Sequence, residues 1–192
     1  MERYYVGIDP GTSSSGVCIF DREKKRVIKA FDDDNTIIPT RLRGILESNG
    51  ISEFTTTFEK MRKYGVGAGE SVFMTCLWHG RFIQWLQSEY GTTCYSIASP
   101  EVKLCFLGTT RGVTKTAVKQ AILELFPQDG GGKTPAIGTK SKPGSLYTMK
   151  EEKGYHHWDA FATILAIIAW QGKRFDGIVY TEPEIALSYN PI

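Results

Sequence analysis

The chain has 192 residues, of which 41% are hydrophobic and 23% charged, and a formal net charge of +2. That length and balance suit one soluble globular domain with a sizeable core, and they exclude a long disordered chain. A charge so near neutral excludes overall basicity as a sign of nucleic-acid binding, so the question passes to local charge.

The chain opens MERYYVGID, with no basic segment leading into a long apolar run. Its longest apolar stretch, around 160–170, is interrupted by Thr163 and is too short to span a bilayer. Cys18, Cys76, Cys94 and Cys105 have neither C-x-x-C nor zinc-site spacing. They read as buried free thiols of a cytoplasmic protein.

Tyr4–Asp9 reads as a buried strand, and Asp9-Pro10-Gly11-Thr12 as a turn. Strands follow at 16–20 and 26–31, joined by the polar connection Asp21-Arg22-Glu23-Lys24. The three acids Asp32, Asp33 and Asp34 read as solvated turn or helix-cap residues. A short helix is expected at 40–46 and a strand at 54–59, ahead of the glycine-spaced loop 65–69. Glu70–Tyr90 reads as a long helix with Val72, Cys76, Ile83 and Leu86 inward and Phe73, Leu77 and Phe82 beside them. A strand at 93–97 and a short helix beginning Ser99-Pro100 come next. The amphipathic helix 114–126 places Ala117, Ile122 and Leu125 inward and stops at Pro127.

Residues 128–153, rich in Gly, Lys, Ser and Pro, read as a long mobile basic loop. The segment Gly130-Gly131-Gly132-Lys133-Thr134 imitates a phosphate loop, but Pro127 stands where the pattern needs its first glycine. A final helix covers 156–170, capped by Gly172, and 173–192 is a tail with a weak edge-strand signal at 177–180. The expected architecture is a single α/β domain over 1–192, its core about 3–172, with a mixed sheet and helices on both faces.

Three motifs carry chemistry. The first is Gly7-Ile8-Asp9-Pro10-Gly11-Thr12, which ends a buried strand on a carboxylate. Burying that charge is costly without a partner, and a divalent metal is one such partner. An Asx turn accounts for the same residues, and sugar kinases and actin-like ATPases open with a similar strand and turn. Those proteins repeat their fold, whereas this chain has no second phosphate loop. The second motif is Tyr155-His156-His157-Trp158-Asp159-Ala160. His156 and Asp159, three apart, share a helix face and suit joint coordination of a divalent ion. His157 faces elsewhere and reads as a packing or surface residue. The third is Glu59, at the end of its strand.

Together these motifs resemble the RuvC-type Holliday junction resolvases of the ribonuclease H-like superfamily. That pattern has an Asp in an I-D-P-G turn, a Glu ending a later strand, and His-x-x-Asp opening a final helix with small residues after it. It falls on Asp9, Glu59, His156 and Asp159, with Glu70 as an alternative for the middle acid. The segments Pro100-Glu101-Val102-Lys103 and Lys115-Thr116-Ala117-Val118 resemble the family's region with two functional lysines, here Lys103 and Lys115. The similarity spans roughly 4–170. The connection after Glu59 and the loop at 128–153 are longer than the pattern, which bears on substrate preference more than on chemistry.

The resemblance implies a ribonuclease H-like fold and a homodimeric DNA endonuclease that acts on four-way junctions. It also implies Asp9, Glu59, His156 and Asp159 as ligands of two divalent ions, Mg²⁺ or Mn²⁺, in phosphodiester hydrolysis. His156 has general-base work as an alternative role, and Lys115 is a catalytic candidate. Between 103 and 153 there are nine basic residues against four acidic ones, an excess suited to phosphate contact. Lys103, Arg111, Lys115 and Lys119 are the expected DNA contacts.

Overall fold

The computed structural model describes residues 2–61, 69–150 and 155–172. Strands β1 (Tyr4–Asp9), β2 (Ser14–Asp21) and β3 (Arg26–Asp34) run antiparallel in succession. Strand β4 (Thr55–Lys60) lies parallel to β1 on its other side, and β5 (Cys94–Ala98) lies parallel to β4. The sheet order is β3-β2-β1-β4-β5.

Side-chain alternation divides the core in two. Val6, Ile8, Val17, Ile19, Phe31 and Phe58 point to one face, where helices α1 (Ile38–Ser48) and α2 (Glu70–Tyr90) cover them. Tyr5, Cys18, Phe20, Ala30 and Ile97 point to the other. There they meet α3 (Ser99–Leu107), α4 (Lys115–Leu125) and α5 (His156–Trp170). Burying each large apolar side chain contributes roughly 1.5–3 kcal/mol. Helix α5 crosses the middle of the sheet at backbone distance, because Gly7 has no side chain to hold it off. A Cβ there would come within 2.9 Å of the Ile164 Cγ1 and closer still to the Ala160 carbonyl. The result is the mixed α/β sheet with helices on both faces that the motif order implied. No helix among the described residues is long and apolar enough to cross a membrane.

Several details differ from expectation. Strand β3 runs three residues past Phe31, so the acids 32–34 are strand residues and not a solvated turn. Pairing with β2 extends the strand, Gly16 lying opposite Asp32 and Ser14 opposite Asp34. Asp33 pairs with Arg41 at 2.8 Å, and Asp34 alone behaves as a turn acid, accepting from the Thr36 amide at 2.8 Å.

On α2 the buried positions are Thr75, Phe82 and Leu86, whereas Phe73, Cys76 and Leu77 are exposed. The helix is turned so that His79 reaches the Ser96 hydroxyl at 3.2 Å. This puts polar Thr75 on the inward seam and leaves Cys76 outside it, contrary to its reading as buried. On α4 the buried residues are Val118 and Ile122, and Ala117 and Leu125 are only partly covered.

Residues 128–150 carry more structure than their composition suggests. Backbone bonds such as Gly131 to the Lys142 carbonyl (2.8 Å) and Leu146 to the Ala136 carbonyl (2.9 Å) knit them together. Ala136, Leu146 and Met149 enter the core. Positions 151–153 of the expected basic loop, residues 65–68 of the glycine loop and the tail from 173 lie outside the described residues.

Candidate metal centre

Strand β1 sits between an antiparallel and a parallel neighbour, which makes its carboxyl end a topological switch point of the sheet. Open α/β sheets place ligands at such switch points. Asp9 is the last residue of β1. It pairs with Gly16 of β2, which pairs in turn with Asp32 of β3. On the other side Ile8 pairs with Phe58, so Asp9 and Glu59 follow side by side on β1 and β4. One row across the sheet therefore presents three carboxylates and a glycine to α5.

The glycine decides how close α5 comes. A Cβ at position 16 would overlap the His156 carbonyl carbon and the His157 amide nitrogen. Helix α5 therefore begins directly on the sheet, between Asp9 and Asp32. The turn after Asp9 is held from beneath by two fully buried residues, Ser15 and Asn35. The Gly11 amide donates to the Ser15 hydroxyl at 3.1 Å, and the Asn35 side-chain amide donates to the Gly11 carbonyl at 3.1 Å.

His156 opens α5 with Nδ1 2.7 Å from an Asp9 carboxylate oxygen. That hydrogen bond raises the imidazole pKa against the opposing effect of burial, and the charges of Asp9 and Asp32 add to it. Asp159, one turn later, is hydrogen-bonded to the Lys115 ammonium. Burial still pushes the Asp159 carboxyl above its usual range, although Lys115 opposes it. Burial pulls the Lys115 pKa down, but its hydrogen bond to Asp159 and the charges of Asp159, Glu59 and Asp9 outweigh that and leave it raised. Asp9, His156 and Asp159 each offer one ligand atom within 4.8 Å of the others.

Glu59 stands beside this group. Burial first, and then the charges of Asp9 and Asp159, push its carboxyl up to about 8, while Lys115 and a hydrogen bond from Ser99 pull the other way. Lys103 and Lys115 line one cleft with Glu59, Ser99 and Asp159, and Lys115 and Lys119 line another with Tyr155, Trp158 and Asp159. The Lys119 ammonium lies 4.4 Å from the centre of the Trp158 ring.

The structure therefore gathers Asp9, Glu59, His156, Asp159, Lys103, Lys115 and Lys119 in one region. Arg111 is exposed in the connection between α3 and α4, and Glu70 is exposed on the first turn of α2. His157 is buried at 1% exposure and packs against β3. Asp32, Ser15 and Asn35 were not foreseen as parts of the site. The alternation Ala30, Asp32 was the signal that would have put Asp32 on the face of Asp9.

No protein-family model and no curated protein matches the sequence. Solved structures do. The RuvC structure of Thermus thermophilus superposes with a TM-score of 0.59 at 17% identity, covering 92% of this chain and 99% of that one. Thermus thermophilus RuvC in complex with a Holliday junction substrate superposes at 0.57 with 15% identity, covering 88% and 96%. The chain has the RuvC fold. It is a ribonuclease H-like α/β fold, and identities this low speak for architecture alone. On this RuvC fold the row Asp9, Gly16, Asp32 and the first turn of α5 are positioned by the chain's own packing.

Proposed function

We propose that the protein is a divalent-metal-dependent endonuclease that hydrolyses phosphodiester bonds in branched DNA, four-way junctions foremost. The observation that carries this reading is the convergence of Asp9, His156 and Asp159 ligand atoms within 4.8 Å, beside Glu59, on a RuvC fold. The donor set fits hard divalent cations: three carboxylates and one imidazole suit Mg²⁺, or Mn²⁺ with its greater tolerance of nitrogen. Glu59, whose carboxyl is pushed up to about 8 first by burial and then by the charges of Asp9 and Asp159, is in the situation that a cation relieves. Asp9, Glu59, His156 and Asp159 would hold two such ions. When bound, these supply the Lewis acidity that hydrolysis of an unactivated phosphodiester requires.

The remaining residues deal with the DNA. Lys115 keeps 62% of its side-chain surface accessible while its ammonium rests on Asp159, so it is placed to meet a phosphate arriving at the site. There it stabilises the charge that develops in the transition state. Lys103, Lys119 and Arg111 extend the basic rim for backbone phosphates.

Paired cuts on a two-fold junction call for two symmetric sites, hence a homodimer. Phe73 at 66% exposure and Leu77 at 45%, one turn apart on the outer face of α2, form the apolar surface that a second copy would cover. The free cysteines suit a reducing compartment, and we place the activity in the cytoplasm.

The test offers the protein a synthetic four-way junction, a Y-fork, a linear duplex and an RNA–DNA hybrid, each with Mg²⁺ or Mn²⁺. Symmetric nicks confined to the branched substrates are expected. Cutting of the hybrid alone would shift the reading to another ribonuclease H-like nuclease. Thermal stabilisation by ATP without any nicking would overturn it in favour of an actin-like nucleotide-binding protein.

A further inference from the structure

We infer that Asp32 is a positioning residue, which anchors the first turn of α5 and thereby sets where His156 and Asp159 stand. The inference rests on the metal-centre reading above.

The first amides of a helix have no intrahelical acceptor, and α5 carries no side-chain cap of its own. Asp32 provides the acceptor from β3. Its Oδ1 takes the His157 backbone N–H at 2.8 Å and faces the His157 Nδ1 at 3.1 Å. The other ring nitrogen, Nε2, faces the Met149 carbonyl at 3.3 Å, which ties the same turn to the segment below it. His157 is thus held at its backbone amide and has an acceptor facing each ring nitrogen, to one of which a neutral imidazole donates, while its neighbours His156 and Asp159 face Asp9. A shift of this turn would move both candidate ligands together.

The second Asp32 oxygen argues against simple packing. Oδ2 is buried with no hydrogen-bond partner among the described residues. A half-satisfied carboxylate is costly to bury, so a position needed only for packing would be better filled by an apolar residue. Outer residues that orient ligands typically account for 10–100-fold in metal affinity.

The experiment titrates Mn²⁺ into the DNA-free full chain by calorimetry, and records the thermal midpoint without metal. Asp32→Ala is expected to weaken Mn²⁺ binding about 10–100-fold. Asp32→Asn keeps an acceptor oxygen for the His157 amide and should return affinity to within a few-fold of the parent. If the alanine variant does not fold, Asp32→Ser, too short to reach that amide, replaces it in the contrast. A lowered midpoint with unchanged Mn²⁺ affinity would reduce Asp32 to a structural residue and overturn the inference, as would equal losses in the alanine and asparagine variants. Asp9→Asn separates the two readings. If it weakens Mn²⁺ binding and Asp32→Ala does not, the inference falls and the metal centre stands. If neither weakens it, both fall.

Discussion

Gly16 and His156 are in backbone contact: any side chain at position 16 would occupy the space of the His156 carbonyl carbon. The neighbours that would have to yield are helix backbone, not the end of a flexible side chain. Gly16→Ala should therefore lift the start of α5 off the sheet. We expect a stability loss of about 1–3 kcal/mol from overpacking, together with a fall in Mn²⁺ affinity. Denaturant unfolding and metal titration of the same preparation check this. A variant matching the parent in both would mean that α5 sits farther from β2 than described.

Asp9→Asn and Asp159→Asn each remove a charged oxygen without changing shape. Both should lose cleavage by more than the 10–100-fold typical of outer residues, and both should still bind a four-way junction. Single-turnover cleavage and a gel-shift titration measure the two properties. Turnover near the parental rate in either variant would remove that residue from the metal site.

Glu59→Gln should be inactive and Glu70→Gln active, since Glu70 is exposed on α2 and Glu59 lies within the field of Asp9 and Asp159. Glu59 also predicts a pH dependence. Its folded-state pKa of about 8 lies above the ordinary 4.5, so the metal-free folded chain holds an extra proton between those values. That contribution to stability is complete below about pH 4.5 and is lost as pH rises through about 8. Thermal unfolding in chelator from pH 5 to 9 should fall for the parent by on the order of a few kcal/mol, and less steeply for Glu59→Gln. Parallel slopes in the two proteins would show that Glu59 is not the group responsible.

Lys103→Ala and Lys115→Ala address the basic rim. Losing a phosphate contact should make the slope of log affinity against log salt shallower by about one unit. Lys115→Ala should in addition slow cleavage at saturating junction, because its ammonium lies at Asp159. Titration across salt concentrations, followed by single-turnover timing, separates the two effects. Unchanged affinity, slope and rate in both variants would place the DNA elsewhere on the surface.

Much of this architecture was legible in the sequence. Tyr4–Asp9, Glu70–Tyr90 and His156–Trp170 were bounded by pattern and punctuation alone. Asp9, Glu59, His156 and Asp159, each bland alone, were singled out together by the resemblance to RuvC-type resolvases, and the fold brings them to one region. Asp32 was not, since three consecutive acids look like solvated turn and only the pairing with β2 makes them strand. The seam of α2 was read correctly at Phe82 and Leu86 but wrongly at Cys76, because Phe73, Cys76 and Leu77 satisfy helical spacing as well as Thr75 does. Spacing gives a stripe, and the sheet beneath decides which stripe is used. The order within 128–150 was hidden because it is built from backbone hydrogen bonds between glycines and turns, which composition does not encode.

The hydrogen bond between His156 and Asp9 closes 147 residues of chain. Neither end of that span can gather the candidate ligands alone, because β1 and β4 bring two carboxylates and α5 brings the rest. A chain emerging from synthesis would hold Asp9 and Glu59 long before His156 exists. The site is therefore a late product of folding, complete only when α5 has settled on Gly7 and Gly16. Chains that stop before α5 would carry Asp9 and Glu59 without His156 and Asp159.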